Sequence, residues 1–462
     1  MQKPLSLKTT DTIKAAFELL NGQFGLIICV LTENGKLSGI VTEGDLRRAI
    51  LEGNSLDTEL KIVQNSNPFY IFEKELKQKK IVKSKINATL INSSNIFPIV
   101  NDEKKLIGVS NIENLIEILD NQNKKLEHID DRKPHVLIVG GGGYIGSILV
   151  SQIIKLGWKV KVVDMMLYEE NSLEQFKNNN NFTLIKKNIC DISVQVEAIK
   201  DINCVVFLAE IVGDPSCQAR PEDALKTNYL AVTSMGNLCS YMGIKRFIYT
   251  SSCSVYGYNE NSNNLTEEDS LLNPVSHYAR IKTMSEKALF LLSNNLFTPT
   301  ILRLATVFGP SFRHRFDLVV NTFAKNAFFD NKINVHGGGN QARPNVHVDD
   351  VAAAIIKIIN SPIEKVEKQI FNLCNETQNF SIGEIAKLTQ KIFPKCKIIT
   401  DNKIIDKRDY RVSAKKLKDH VNFEAKKTIV DGLSELKIIF EKKKILNTSD
   451  KKYSNVETLA NF

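Results

Sequence analysis

Tyr278 and Lys282 stand four residues apart in YARIK, in a stretch of helical character. That spacing puts both side chains on one helix face. An ammonium beside a phenol favours the phenolate and lowers its pKa from about 10, so the pair is expected to supply a base near neutral pH. YxxxK is common in proteins, and its meaning here comes from its company. The run KRFIYTSSCSVYG (245–257) reads as a strand that ends at Ser252, and open α/β sheets hold ligands at strand C-termini. Cys253 is a conceivable nucleophile, but no histidine lies close to it in sequence, so a small buried residue is expected.

The second element of the chemistry is HVLIVGGGGYIGSILV, residues 135–150. A β-type apolar run enters glycines at 140, 143 and 146, with Tyr144 and Ile145 between the last two, and then an apolar stretch of helical spacing. Strand, tight turn and helix in that order present unpaired N–H groups and a partial positive charge to a pyrophosphate. A second strand, WKVKVVD, ends in Asp164. An acid there accepts from a ribose 2′-hydroxyl and repels a 2′-phosphate, which selects NAD over NADP. A bound nicotinamidium ring would add its charge to that of Lys282 in acidifying Tyr278.

Further βα units follow. NFTLIKKNICD (181–191) is a third strand, INCVVFLAE (202–210) a fourth and residues 245–257 a fifth. The alternation predicts an α/β fold, a Rossmann-type doubly wound parallel sheet. NFSIGEIAKLTQKI (379–392) reads as a Ser-capped amphipathic helix of a small α/β substrate lobe, built with segments around 310–345 and 365–413.

The chain of 462 residues is long enough for two or three domains. With 43% hydrophobic and 24% charged residues it has a globular composition. No apolar run reaches the ~18 residues of a membrane span. The start MQKPLSLKTTD has no apolar signal-peptide core. Eight scattered cysteines without a CxxC pair fit a reduced, cytoplasmic protein with no structural metal. His277, His336 and His347 lack ligand spacing, and His347 in NVHVDD is expected to make structural hydrogen bonds. The net charge of +9 comes from lysines mixed with acids, so nucleic acid is not expected as a partner.

Residues 1–120 contain an internal repeat. VLTENGKLSGIVTEGDL begins at 30 and IVNDEKKLIGVSNIENL at 99, an offset of 69 residues. Each copy reads as strand, turn, strand and helix start, so two half-modules are expected to bury their faces on each other. This segment resembles a paired cystathionine-β-synthase (CBS) domain, an α+β repeat. The resemblance implies that Thr42 and Asp45 hold the ribose of an adenine nucleotide, against the simpler role of Asp45 as a helix cap. The corresponding Asn111 and Asn114 each offer one acceptor oxygen where a carboxylate accepts from both ribose hydroxyls, which argues against a second site. Residues 121–134 are a polar linker closed by Pro134, and 443–462 are expected to form a polar, poorly ordered tail.

Residues 135–442 resemble an extended short-chain dehydrogenase/reductase of the nucleotide-sugar epimerase and dehydratase group. The resemblance rests on GGGGYIG, LAEIVGDPSC, TNYLAVTSMG, SSCSVYG, YARIK, RLATVFGP, RPNVHVDD and RDYRVS, in that order. It implies that Ser252 hydrogen-bonds the reacting sugar oxygen, Tyr278 is the acid–base group and Lys282 holds the nicotinamide ribose. It also implies cofactor contacts from Asn188, Ile189, Leu208, Ala209 and Asn228. On the substrate side it implies Thr306, Arg343 for the diphosphate and Arg408 for the nucleotide end. Asn188 replaces the usual Asp, and Thr306 a frequent Asn. Dehydrating relatives carry Asp-Glu after the hydroxyl residue, where this chain has Cys253 and Ser254, and that disfavours 4,6-dehydration. The implied activity is NAD-dependent 4-epimerisation of a nucleotide sugar through a 4-keto intermediate. Net oxidation or 4-keto reduction uses the same residues, and a non-catalytic NAD and adenylate sensor is the alternative of another class. Both modules resemble ones that pair, so a homodimer or higher homo-oligomer is expected.

Overall fold

The computed structural model describes residues 4–20, 27–77, 96–111, 133–257, 265–401, 409–445, 448 and 450–459. The chain forms two compact units, Met1–Asp131 and Arg132–Phe462.

The repeat of the first unit is visible in its pairing. Ile27–Leu31 runs antiparallel to Leu37–Thr42, and Ile96–Val100 antiparallel to Leu106–Asn111. Ile27 faces Thr42 and Ile96 faces Asn111, and each hairpin has its register shift at the same place, Val30/Leu31 and Ile99/Val100. The two turns meet reciprocally, with Leu37 N donating to Lys104 O at 2.9 Å and Leu106 N to Gly35 O at 3.5 Å. Ile27, Cys29 and Ile40 from one copy share a core with Val109 from the other, which is the mutual burial expected of half-modules. Asn114 lies outside the described residues.

In the second unit, strands β1 (His135–Val139), β2 (Lys159–Val163), β3 (Phe182–Ile185), β4 (Cys204–Phe207), β5 (Arg246–Ser252), β6 (Thr298–Leu304) and β7 (Ile370–Leu373) form one parallel sheet. Their order is β7-β6-β5-β4-β1-β2-β3. Five of the seven were expected; β6 and β7 extend the sheet. Residues 136–139 and 204–207 are buried throughout, as central parallel strands covered on both faces must be. Helices α1 (Tyr144–Lys155) and α5 (Val348–Asn360) cover one face with Leu149, Ile153, Val351 and Ile355. Helices α2 (Ala231–Met242) and α3 (His277–Leu291) contribute Val232, Met235 and Leu289 to the other.

The small lobe gathers α4 (Val319–Phe329), α6 (Ile382–Ile392) and α7 (Ile429–Glu441) around Phe323, Ile385 and Leu433. The expected Ser cap is present: Ser381 and Glu384 form a reciprocal capping box at α6. The strand order reverses between β1 and β4, the switch point at which doubly wound sheets open a crevice.

The expectation of a poorly ordered tail is corrected. Residues 451–453 form a 3-10 turn and Asn455–Leu459 a short helix. Phe316 N donates to Tyr453 O at 2.9 Å. Asn455 N donates to Asp317 at 3.0 Å, Lys452 pairs with Glu169 at 2.7 Å and Leu459 is buried beside Ile211 and Cys217. Its anchors are single residues too sparse to show a period in the sequence.

Candidate active site

A cleft of about 910 Å³ opens at the switch point. Gly140, Gly143, Tyr144, Ile145, Gly146, Asp164, Asn188, Ile189, Leu208, Ala209, Ser252, Tyr278, Lys282, Thr306 and Arg343 all line it. Residues named from eight separate stretches of sequence thus converge on one cavity.

The glycines are demanded by close backbone approach. A Cβ on Gly140, whose φ is +89°, would stand 2.5 Å from Ala209 N, and one on Gly146 would stand 2.3 Å from Gly140 O. The turn after β1 and the end of β4 therefore touch through bare backbone. Gly143 caps α1 with no side-chain hydrogen bond, which leaves the first N–H groups of the helix for an anion. Tyr144 is held by its hydroxyl, which donates to Gly309 O at 2.6 Å.

Asp164 accepts from Gly142 N at 2.8 Å and Met166 N at 2.7 Å, one bond on each carboxylate oxygen. Each oxygen keeps a second lone pair, so the acid ties down the glycine turn and can still receive a ribose hydroxyl. Asn188 turns its own oxygen to Cys190 N at 2.9 Å. Asn228, expected to contact the cofactor, is not among the residues that line the cleft. It is fully buried in a π-helical turn, Lys226–Leu230. Its amide accepts from Ile211 N and donates to Ile211 O, both at 2.9 Å, so it fixes the segment after β4.

Ser252 ends β5, and its Oγ accepts from Ser254 N at 3.2 Å and Ser254 Oγ at 2.9 Å. Cys253 points away from the cleft. It is buried, its thiol donates to Arg303 O at 3.3 Å, and burial pushes its pKa far up, so it is the small buried residue expected. Arg343 is buried, with Nη1 on Ala342 O at 2.7 Å and the guanidinium over the Tyr410 ring. Arg408 lies outside the described residues.

The electrostatics of the Tyr–Lys pair differ from the sequence expectation. Lys282 Nζ forms an ion pair with Glu210 Oε2 and donates to Thr250 O, and the two charged side chains are 1% and 3% exposed. Glu210 Oε1 accepts from the Tyr249 hydroxyl at 2.9 Å. Burial moves both members toward their uncharged forms, Lys282 down and Glu210 up. Whichever way the proton is shared, the pair carries no net charge. The phenol of Tyr278 is raised well above its ordinary value, by burial first and by Glu210 second. A lysine with a carboxylate partner cannot acidify a phenol as a lone one would.

Sequence reading also passed over Arg313 and Arg315, which line the cleft, Arg315 with Asp317 as its carboxylate partner. Arg313 stacks 4.2 Å over Tyr168 and donates to Asn455 at 2.6 Å, while its Nε has no hydrogen-bond partner among the described residues. Ser251 Oγ, also on the cleft wall, is orphaned in the same way. Buried donors without partners are costly unless a ligand meets them. The RHR spacing at 313–315, just after strand residues, was the available signal.

His347 serves α5. Asp349 N donates to its Nδ1 at 3.1 Å, so Nε2 carries the proton and donates to Glu435 at 3.0 Å. The Lys427 ammonium bridges Asp349 and Glu435, at 2.6 Å from each, and holds the place a cation would take.

The sequence profile of the NAD dependent epimerase/dehydratase family matches residues 136–374, just over half of the chain. The chain belongs to that family. The epimerase/dehydratase takes NAD as its cofactor, and the glycine turn, the uncapped α1 terminus and Asp164 fit it. A CBS domain profile matches residues 1–52. Protein CapI of Staphylococcus aureus is 31% identical over 235 residues, 49% of this chain and 70% of that protein. The UDP-N-acetyl-alpha-D-glucosaminuronate decarboxylase of Bacillus cytotoxicus is 27% identical over 261 residues, 55% of this chain and 79% of that protein. Among solved structures, UDP-glucuronic acid 4-epimerase from Bacillus cereus, in complex with UDP-glucuronic acid and NAD, superposes with a TM-score of 0.61 at 22% identity. That superposition covers 66% of this chain and 99% of the other. The epimerase/dehydratase is thus an NAD-dependent enzyme of the nucleotide-sugar epimerase, dehydratase and decarboxylase kind.

One consequence is accessible by thiol chemistry. Of the eight cysteines only Cys190 is partly exposed, and it lines the NAD cleft. Titration of the native enzyme with a disulfide reagent is expected to modify one thiol per chain promptly, to be slowed by NAD, and to fail with Cys190→Ser. Fast reaction of several thiols would contradict the burial described.

Proposed function

We propose that the epimerase/dehydratase inverts C4 of a nucleotide-linked hexose through a 4-keto intermediate. The observation that carries this reading is the pair of residues after Ser252. Proton transfers at further sugar carbons need additional carboxylates. Here Cys253 faces the core and Ser254 spends its hydroxyl on Ser252. An acid–base group, a hydroxyl and a bound dinucleotide suffice for oxidation and return at a single carbon.

Bound NAD would supply the reversible two-electron oxidation at C4. Tyr278 takes the proton of the C4 hydroxyl and gives it back. Ser252 Oγ donates to the C4 oxygen as charge gathers there. Arg343 pairs with the diphosphate as a planar, permanently charged fork. Burial of the cleft between sheet and small lobe limits the escape of a keto sugar.

In the first unit Thr42 and Asp45 already form a reciprocal capping box at helix Glu43–Leu51, with Thr42 Oγ1 on Asp45 at 2.7 Å and Arg48 on the other oxygen at 3.2 Å. An adenine nucleotide that regulates the enzyme would be held at this helix start, with both groups keeping spare acceptor capacity.

The test is to incubate the enzyme with UDP-linked glucose, N-acetylglucosamine and glucuronic acid, and to follow the products by NMR, with and without AMP and ATP. The expected result is interconversion of C4 epimers without net reduction of added NAD, at a rate that the adenylates change. A 4-keto-6-deoxy sugar, a pentose or stoichiometric NADH would overturn the reading.

A further inference from the structure

Glu210 is the group that neither the motif reading nor the proposed chemistry uses. It follows β4 at the switch point, lines the cleft and is buried together with Lys282. A buried carboxylate is costly unless it is paired, and this one is paired with the lysine that is meant to acidify the phenol. Lys282 Nζ also lies 4.7 Å from the Tyr249 ring centroid and 5.6 Å from that of Tyr278. The cluster is therefore Tyr278, Lys282, Glu210 and Tyr249 within one desolvated pocket.

The other charged and titratable groups around it do not restore a net positive charge at the phenol. Glu286, on α3 with Tyr278 and Lys282, is occupied by Arg303. Asp214 and Cys217, on the short helix Asp214–Ala219, raise the phenol further. Arg315 lowers it, and Arg315 is paired with Asp317.

We propose that Glu210 is a positioning residue that holds and neutralises the Lys282 ammonium, so that Tyr278 keeps its proton until an oxidised nicotinamide ring lies beside it. The positive ring of a bound dinucleotide would then add a charge that Glu210 does not balance. In the reduced state the ring is neutral, and Tyr278 returns to the protonated form needed to reprotonate the sugar oxygen. The proton released on ionisation goes to solvent or, in turnover, is the one exchanged with the C4 hydroxyl. Glu210 thereby couples the protonation state of the base to the oxidation state of the cofactor. The inference rests on Tyr278 being the acid–base group of the reading above.

The test is an ultraviolet titration of phenolate in the full-length enzyme, with Tyr278→Phe as the blank, in the absence of dinucleotide, with NAD and with NADH. In the parent enzyme the Tyr278 band is expected to ionise at lower pH with NAD than with NADH or with no dinucleotide. In Glu210→Gln the ionisation without dinucleotide is expected to fall by about 1–3 pH units, and the acid limb of kcat/KM to move to lower pH with it. Glu210→Asp, which keeps the charge, is expected to retain the parent profile and shows that the shift is not a folding effect. A Glu210→Gln titration that overlays the parent would overturn the proposal, as would equal ionisation with NAD and NADH. If Tyr278→Phe retains full turnover, the proposed function fails instead, and the titration still reports on the phenol itself.

Discussion

Replacing Tyr278 by Phe is expected to lower kcat for C4 inversion by about 10²- to 10⁴-fold while leaving NAD affinity within a few-fold of the parent. The ring packs with Ile211, Cys217, Ala224, Ile281 and Leu459, and phenylalanine preserves that packing. What disappears is the one phenol placed on the cleft wall beside Lys282. The pH profile of the parent should show the same group. Because burial, then Glu210, raise the phenol, the base form is lost as pH falls and activity should climb toward alkaline pH. Steady-state kinetics with dinucleotide affinity by calorimetry check both points. A Phe variant within tenfold of the parent would remove Tyr278 from the chemistry.

The largest effect on stability is expected at Arg303. This residue sits within β6, a strand buried along its whole length, and is 2% exposed. Its guanidinium makes a bidentate pair with Glu286, 3.1 Å at Nε and 2.7 Å at Nη2, and its Nη1 donates to the Tyr256 hydroxyl at 3.0 Å and to Glu268 O at 3.1 Å. Arg303→Met leaves Glu286 buried without a cation, a loss of about 3–5 kcal/mol. The melting temperature should fall by on the order of 10 °C. The double variant Arg303→Met with Glu286→Leu should recover much of that loss, since apolar groups of similar volume replace a buried pair at little cost. Circular dichroism melts of the single and double variants decide it. Equal destabilisation in both would show that the Tyr256 and Glu268 bonds, and not the ion pair, hold this strand.

Much of the cofactor half of the site was legible because its residues are fixed by local geometry. Gly140 and Gly146 are required by backbone contacts within a few residues or across one strand pair, and Tyr278 and Lys282 share a face through helix periodicity alone. The parallel, doubly wound character of the sheet followed from the alternation of strands and helices. The misses are long-range. Nothing near Glu210 in sequence announces that the lysine seventy-two positions later (282 − 210) will fold against it. Asn228 carries a motif position but spends its amide on Ile211, a partner that only the tertiary structure reveals. Arg313 and Asn455 meet across 142 positions, and β7 closes the sheet from a segment whose four residues are too few to show a period.

The short helix at Asn455–Leu459 bears on how a newly made chain matures. The glycine turn leaves the ribosome early in the second unit, whereas Asn455 and Leu459, which complete the cleft wall beside Arg313 and Tyr168, are translated after the sheet and the small lobe. A nascent polypeptide can therefore assemble its dinucleotide turn well before the chamber around the reacting sugar is closed.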